Sequence, residues 1–363
     1  MAATKRIGVL TSGGDCAGLN AVIRAIVCRA VNAYGWQVIG IRQGTRGLMA
    51  RPPDIEELSV KIFTGNILRM GGTILGTTNQ GDPFAFPGDD GAVRDRSQEV
   101  IDGYRELGLD GLIAIGGDGS LRIMNRLAHQ SGIDLVAIPK SIDNDVDETE
   151  YSIGHVTAVN VATEALDRLQ PTAASHDRIM ILEVMGRDAG HIALAAGVAG
   201  GADVILIPEI PYTLGHIADK IERVRTGQGR NFALVVVAEG VKTETGEAVT
   251  VTDRRGGTRY GGVGHYLGER LAELTEAETR VTVLGHVQRG GSPSPTDRVL
   301  ATAFGVRAVD LVAEGKFGRM VGWQNRRIVD VAIEDAIAIY REVDVKGDLV
   351  GTARGLEICM GDR

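Results

Sequence analysis

Residues 112–123 read LIAIGGDGSLRI: four apolar residues run into Gly-Gly-Asp-Gly-Ser, and a helix-like pattern follows. An apolar run this short, closed by glycines and followed at once by a helical pattern, reads as a buried strand handing over to a helix. The single acid among the glycines, Asp118, then stands at the carboxyl end of that strand, where open α/β sheets collect their ligands. Two readings of Asp118 are open. It is a carboxylate that holds Mg2+, with Gly119 and Ser120 offering small donors to a polyphosphate, or it is the N-cap of the helix.

The same hand-over recurs along the chain. Candidate strands are 6–10 (RIGVL), 36–41 (WQVIGI), 111–115, 134–138 (DLVAI), 178–184 (RIMILEV), 203–207 (DVILI), 232–238 (FALVVVA) and 280–285 (RVTVLG). Helical patterns lie between them, as at 19–31 and 157–169. Strand–helix alternation predicts an α/β fold with mainly parallel sheets, and the nearly all-apolar strands predict helices on both sheet faces. A length of 363 residues suggests two domains, with a change near residue 152. The segment 76–91, GTTNQGDPFAFPGDDG, reads as a lid or an ordinary surface connection.

Composition narrows the function. A net charge of −8 argues against a nucleic-acid partner, which favours a basic surface, but leaves room for an anionic small molecule bound by local arginines. The three cysteines, Cys16, Cys28 and Cys359, form neither a metal-ligand pair nor a disulfide framework, so a reduced, cytoplasmic protein is expected. The first ten residues hold too short an apolar run for a signal peptide, and no stretch reaches membrane-spanning length.

The loops after the strands carry the chemistry. After the first strand, TSGGDCAGLN (11–20) places Gly13 and Gly14 before a helix. This is a phosphate cradle or a tight turn. The spacing is not that of a dinucleotide fingerprint, and the second strand ends in Arg42 rather than an acid for a ribose. Neither a P-loop nor the protein-kinase motif set is present. After 134–138 comes PKSIDNDVDE (139–148), whose Asp143, Asp145 and Asp147 repel one another unless cations or hydrogen bonds compensate. A division of labour follows: one carboxylate takes a proton from a substrate hydroxyl, another helps hold Mg2+. Arg187 in MGRDAGH (185–191) suits an anionic substrate. Glu239 reads as a hydrogen-bond acceptor for sugar hydroxyls or as a turn cap. His286 and Arg289 in HVQRGGSP (286–293) lean towards phosphate. The set converges on Mg2+-assisted phosphoryl transfer to a hydroxyl.

The motifs TSGGD, GGDGS, PKSIDND, MGRDAG and LGHVQRGGSP, in this order over about residues 5–330, resemble the phosphofructokinase family. The resemblance implies two Rossmann-like three-layer α/β domains with the active site in the cleft between them. Residues 1–152 would bind the phosphoryl donor, completed by part of 288–340. Residues 153–287 would bind the sugar phosphate, completed by 341–363. It implies transfer from ATP to the 1-hydroxyl of fructose 6-phosphate, with Mg2+ on Asp118 and Asp143 as proton acceptor. Gly13, Arg187 and Arg178 join Asp143 in the catalytic set. The substrate set is Ser141, Asp145, Arg178, Met185, Gly186, Arg187, Glu239, Arg280, His286 and Arg289. The donor set is Gly13, Gly14, Gly117, Asp118, Gly119, Ser120 and Lys140. Arg178 and Arg280 match arginines given by a neighbouring subunit, which implies self-association, as a homotetramer.

Within the family Gly119 accompanies ATP, where pyrophosphate users carry a second aspartate. Lys140 is typical of pyrophosphate users, and Asn79 stands where many bacterial members place an arginine on the donor. A pyrophosphate-dependent enzyme is therefore the alternative. A NAD or lipid kinase with a GGDG loop is disfavoured by the later motifs, and a catalytically silent nucleotide-binding subunit by the intact acids. Allosteric control is a family trait; Arg24 fits an effector arginine, but Cys28 replaces a second, 227–231 lacks a lysine pair, and Arg29 and Arg230 are the candidate substitutes.

Overall fold

A computed structural model describes residues 4–63, 65–79, 81–88, 92–227, 229–252 and 258–363. Contacts divide the chain into two compact units: Met1–Val156 with Arg289–Tyr340, and Thr157–Gln288 with Arg341–Arg363.

The first unit is built on a seven-stranded sheet. Its spatial order is Arg327–Ala332, Arg319–Gln324, Leu135–Pro139, Gly111–Gly116, Arg6–Ser12, Gln37–Ile41 and Ile55–Leu58. The five inner strands are parallel, and each edge strand pairs antiparallel. Every residue of Gly111–Gly116 and Leu135–Pro139 is buried, as strands covered on both faces require. Alternate residues Leu112, Ala114, Leu135 and Ala137 face a core formed with Leu121, Met124 and Leu127 of the helix Asp118–Ser131 and with Val100, Ile101 and Tyr104 of Ser97–Glu106. The helices Leu19–Tyr34 and Pro295–Ala313 pack together closely. A Cβ on Gly305 would lie 2.8 Å from both Ala25 Cβ and Val22 O, so only glycine admits this approach.

The second unit has four parallel strands in the order Thr279–Val283, Ile179–Val184, Ala233–Ala238 and Val204–Leu206. The C-terminal segment adds a parallel bridge from Cys359 to Val204. Glu183, 2% exposed, accepts the Gly262 and Gly264 N–H groups (3.2 and 2.8 Å) at the start of the helix Val263–Thr275. This buried carboxylate meets the positive end of a helix and fixes it to the sheet.

All eight apolar runs form strands, and the fold is the expected α/β arrangement with mostly parallel sheets. The sequence reading missed three strands of this sheet, its two edges and the inner strand next to one of them. Ile55–Leu58 is the polar run IEEL, and Arg319–Gln324 and Arg327–Ala332 are only partly buried, so none shows a continuous apolar run. Among the described residues no helix is long and apolar enough to cross a membrane.

Candidate functional site

The strand order of the first unit reverses between Arg6–Ser12 and Gly111–Gly116, since their sequence neighbours lie on opposite sides. The carboxyl ends of two such strands part to leave a crevice, and both glycine turns open there. Gly13 has φ of 83°, a left-handed conformation suited to glycine. A Cβ on it would lie 2.9 Å from Ser120 Oγ and 3.4 Å from Lys140 Nζ, and a Cβ on Gly117 would lie 3.8 Å from the same ammonium. Lys140 thus stands beside both turns. The Gly13 N–H donates to Thr78 O (3.1 Å), while no backbone bond from the Gly14 N–H is found among the described residues. Arg289 donates through Nη1 to Asp15 O (3.0 Å), and that nitrogen lies 2.7 Å from where a Gly14 Cβ would be. The sequence reading placed Arg289 with the sugar phosphate; its guanidinium lies against the Gly13–Gly14 turn, a position that leaves that reading open.

Asp118 does not cap its helix. Gly117 occupies the N-cap position with no side-chain cap bond, and Asp118 is the first helical residue. Its Oδ2 accepts from Arg122 Nε one turn on (2.9 Å). Its Oδ1 is buried and has no hydrogen-bond partner among the described residues. A buried carboxylate oxygen without a partner is costly unless a cation or donor completes it. The first-turn N–H groups of any helix also lack intrahelical partners and favour anions. Among the described residues no group of three or more His, Cys, Asp or Glu could hold a metal ion. Mg2+ in phosphoryl-transfer sites needs less, one or two carboxylates with the phosphates and waters, and Asp118 fits that demand. Gly119 is exposed, and a Cβ on it would meet nothing within 4 Å.

The acidic loop is organised by its asparagine. Asn144 has φ of 56°, a conformation Asn tolerates better than most residues. Its side chain accepts the Ser152 N–H (2.8 Å) and donates to Glu150 O (3.0 Å), fixing a turn between Asp143 and Asp145. The Asp143 N–H donates to Ser141 Oγ (3.2 Å), and Ser152 Oγ donates to Ser141 O (2.8 Å). Ser141, Asp143 and Asp145 are all at most 7% exposed, and Asp145 Oδ1 has no hydrogen-bond partner among the described residues. Beyond the turn, Trp323 of the strand Arg319–Gln324 donates its N–H to Thr149 Oγ1 and accepts at its carbonyl oxygen from Glu150 N–H (3.0 and 2.8 Å). Lys140, 4% exposed, is a buried cation of this region. Burial pushes its pKa below the ordinary 10.5, Cys16 opposes that shift, Arg289 adds to it, and Asp143 and Asp145 oppose it.

In the second unit, three strand-end loops meet. Gly186 and Arg187 both have positive φ (149° and 53°), and the Arg187 N–H donates to Glu239 Oε1 (3.2 Å). A non-glycine residue at positive φ is uncommon and clusters at binding sites. The Met185 N–H donates to the side-chain oxygen of buried Gln288 (2.7 Å). The MGR loop is therefore held by the loops of Glu239 and Gln288, and His286 is exposed on the same turn of 3-10 helix as Gln288. Elsewhere in this unit Arg178 donates to Glu278 through Nε (2.7 Å), and Arg280 pairs with the same carboxylate. Its Arg178 partner holds the Glu278 carboxyl below the usual glutamate range.

Sequence reading missed Gln288, Glu278 and the Thr77–Thr78 segment. The first lies inside a quoted motif and the last inside the loop read as a lid or connection, of which Gln80 and residues 89–91 lie outside the described residues. Neither candidate effector substitute stands apart: Arg29 pairs with Asp310 and Arg230 with Asp203. Gln228, within 227–231, is outside the described residues.

The family profile described as phosphofructokinase matches residues 6–312. The protein of Synechocystis sp. named ATP-dependent 6-phosphofructokinase 1 is 61% identical over 365 residues, covering 100% of both chains. Among solved structures, phosphofructokinase of Pichia pastoris in the T-state aligns with a TM-score of 0.81 and 30% identity, over 98% of this chain and 37% of that one. This chain therefore spans well under half the length of the yeast chain. A pyrophosphate-dependent phosphofructokinase from Nitrosospira multiformis aligns with a TM-score of 0.79 over 99% of this chain and 93% of that one, at 20% identity. That likeness concerns the fold alone, so the fold does not choose a donor. The chain belongs to the phosphofructokinase family.

Proposed function

We propose that this protein is an ATP-dependent 6-phosphofructokinase, transferring the terminal phosphoryl group of ATP to the 1-hydroxyl of fructose 6-phosphate to give fructose 1,6-bisphosphate in glycolysis. The observation that carries the choice of donor is the open space at Gly119, directly after Asp118 on the first turn of its helix. A donor that continues past its reacting phosphates needs that space; pyrophosphate does not.

Phosphoryl transfer asks the protein for position and charge. Gly14 N–H, the first turn at Gly117–Ser120 and the Lys140 ammonium receive the donor phosphates. Asp118 would hold Mg2+, which would supply positive charge to neutralise the donor phosphates. Asp143 accepts the proton of the 1-hydroxyl, with Ser141 shaping its turn and Asp145 beside it. Met185, Gly186, Arg187, Glu239 and His286 take the sugar phosphate. Arg289 adds positive charge beside Gly14, where it serves the transferring group as well as the acceptor. Arg178 and Arg280, both steered by Glu278, reach the acceptor of a neighbouring subunit in a homotetramer. The three free cysteines suit a reducing cytoplasm.

The second reading is a pyrophosphate donor, favoured by the buried Lys140 at the donor turn. The test is formation of fructose 1,6-bisphosphate from fructose 6-phosphate and Mg2+ with either donor. Turnover with ATP alone supports the reading; turnover with pyrophosphate alone reverses it.

A further inference from the structure

The Gly13 turn does not hold its shape by itself. Its peptide groups are engaged by one short segment, Thr73–Thr78. Thr77 Oγ1 donates to Gly13 O at 2.6 Å, and the Gly13 N–H donates to Thr78 O at 3.1 Å. Two residues earlier, on the strand, Thr11 Oγ1 donates to Gly76 O (2.8 Å) and lies 3.1 Å from Thr73 Oγ1. Thr77 Oγ1 also lies 3.3 Å from Thr11 O, but one hydroxyl hydrogen serves one acceptor well, and Gly13 O is the nearer.

We propose that Thr77 is a positioning residue for the phosphoryl donor, its hydroxyl holding the Gly13 carbonyl so that the Gly14 N–H and the Lys140 ammonium meet the donor phosphates together. This rests on the reading of the Gly13–Gly14 turn as the donor site. The physical reason is the left-handed backbone of Gly13. A glycine peptide has wide conformational freedom, and without an anchor the plane of the Gly13–Gly14 peptide, which carries the Gly14 N–H, rotates freely. Thr77 fixes the oxygen end of that same peptide. Fixing C=O of Gly13 therefore fixes the direction of N–H of Gly14, because the two belong to one planar unit. Thr78 fixes the preceding peptide in the same way. Ser120 Oγ and Lys140 Nζ, 2.9 and 3.4 Å from where a Gly13 Cβ would be, stand beside the turn that the Thr73–Thr78 segment holds.

The test compares Thr77→Val, which keeps shape and loses the hydroxyl, with Thr77→Ser, which keeps the hydroxyl. Thr77→Ala replaces the valine variant if the latter does not fold. Loss of one hydrogen bond that acts on the donor alone raises the KM for ATP roughly three- to tenfold. The KM for fructose 6-phosphate stays as in the unaltered enzyme. Calorimetric binding of Mg-ATP without the sugar weakens by the same factor, and Thr77→Ser restores both values. The proposal is overturned if Thr77→Val binds ATP as the unaltered enzyme does. It is equally overturned if the KM values for both substrates change together and serine rescues neither, since that is general damage to the unit. If the unaltered enzyme uses only pyrophosphate, the ATP reading fails by itself, and the same comparison is read on the KM for pyrophosphate.

Discussion

In the proposed reading Asp143, Lys140 and Gly119 decide the chemistry, and each makes a separate prediction. Replacing Asp143 by Asn removes the proposed proton acceptor while keeping its size. We expect kcat to fall ~10²–10⁴-fold, with fructose 6-phosphate binding by calorimetry unchanged; near-normal turnover would displace Asp143 from its role. Lys140 works as a cation, and burial lowers its pKa from 10.5. Below its folded pKa the ammonium is charged and donor binding is intact; as pH rises through that value the charge is lost. The kcat/KM for ATP therefore has an alkaline limb at a pH below 10.5, and this limb is absent from the residual activity of Lys140→Met. A limb that persists in that variant belongs to another group. Gly119→Asp introduces a side chain into open space, so the fold tolerates it. Its carboxylate repels ATP phosphates, raising the KM for ATP by tenfold or more, or about 1.4 kcal/mol, with no change in the circular dichroism melting curve.

At the scale of elements, the strand–glycine–helix hand-over was legible in the sequence because buried parallel strands are continuous apolar runs. The reading of Asp118 as helix N-cap was not decidable there, since an N-cap and a first-turn residue differ by one position. The structure decides it by placing Gly117 at the cap. The Leu19–Tyr34 and Pro295–Ala313 pair was illegible for a different reason: its two halves lie more than 260 residues apart in sequence, as the numbering shows. Their contact makes a prediction of its own. Gly305→Val forces a branched side chain against Ala25 and the Val22 carbonyl, overpacking the interface at a cost of about 1–3 kcal/mol. Urea denaturation monitored by circular dichroism measures it, and a midpoint equal to that of the unaltered protein contradicts the close approach.

For the whole molecule, the proposed sharing of Arg178 and Arg280 between subunits makes activity a property of the assembly. Asp143→Asn lacks the proposed proton acceptor and Arg178→Ala the proposed donated arginine, so each alone is expected to have little activity. Mixed after gentle dissociation and reassociation, the two variants form hybrids in which some sites hold both intact residues, and activity returns to a measurable fraction. Failure of mixed samples to gain activity, with hybrid formation verified by native mass spectrometry, assigns Arg178 to its own subunit.

The sequence alone determined the fold class and the chemical type of the site. Apolar runs report burial on both faces, and groups at strand ends must follow those runs directly, so the loops that carry the candidates Asp118, Asp143, Arg187, Glu239 and His286 were readable in place. The tertiary structure decided how these groups are held. The Thr77 hydroxyl on Gly13, the Gln288 carboxamide on Met185, the single Glu278 under two arginines and Arg289 against the Gly14 turn join segments remote in sequence. Hydrogen bonds between polar side chains and distant peptide groups leave no periodic trace in the chain, because their partners are chosen by the folded backbone rather than by local spacing.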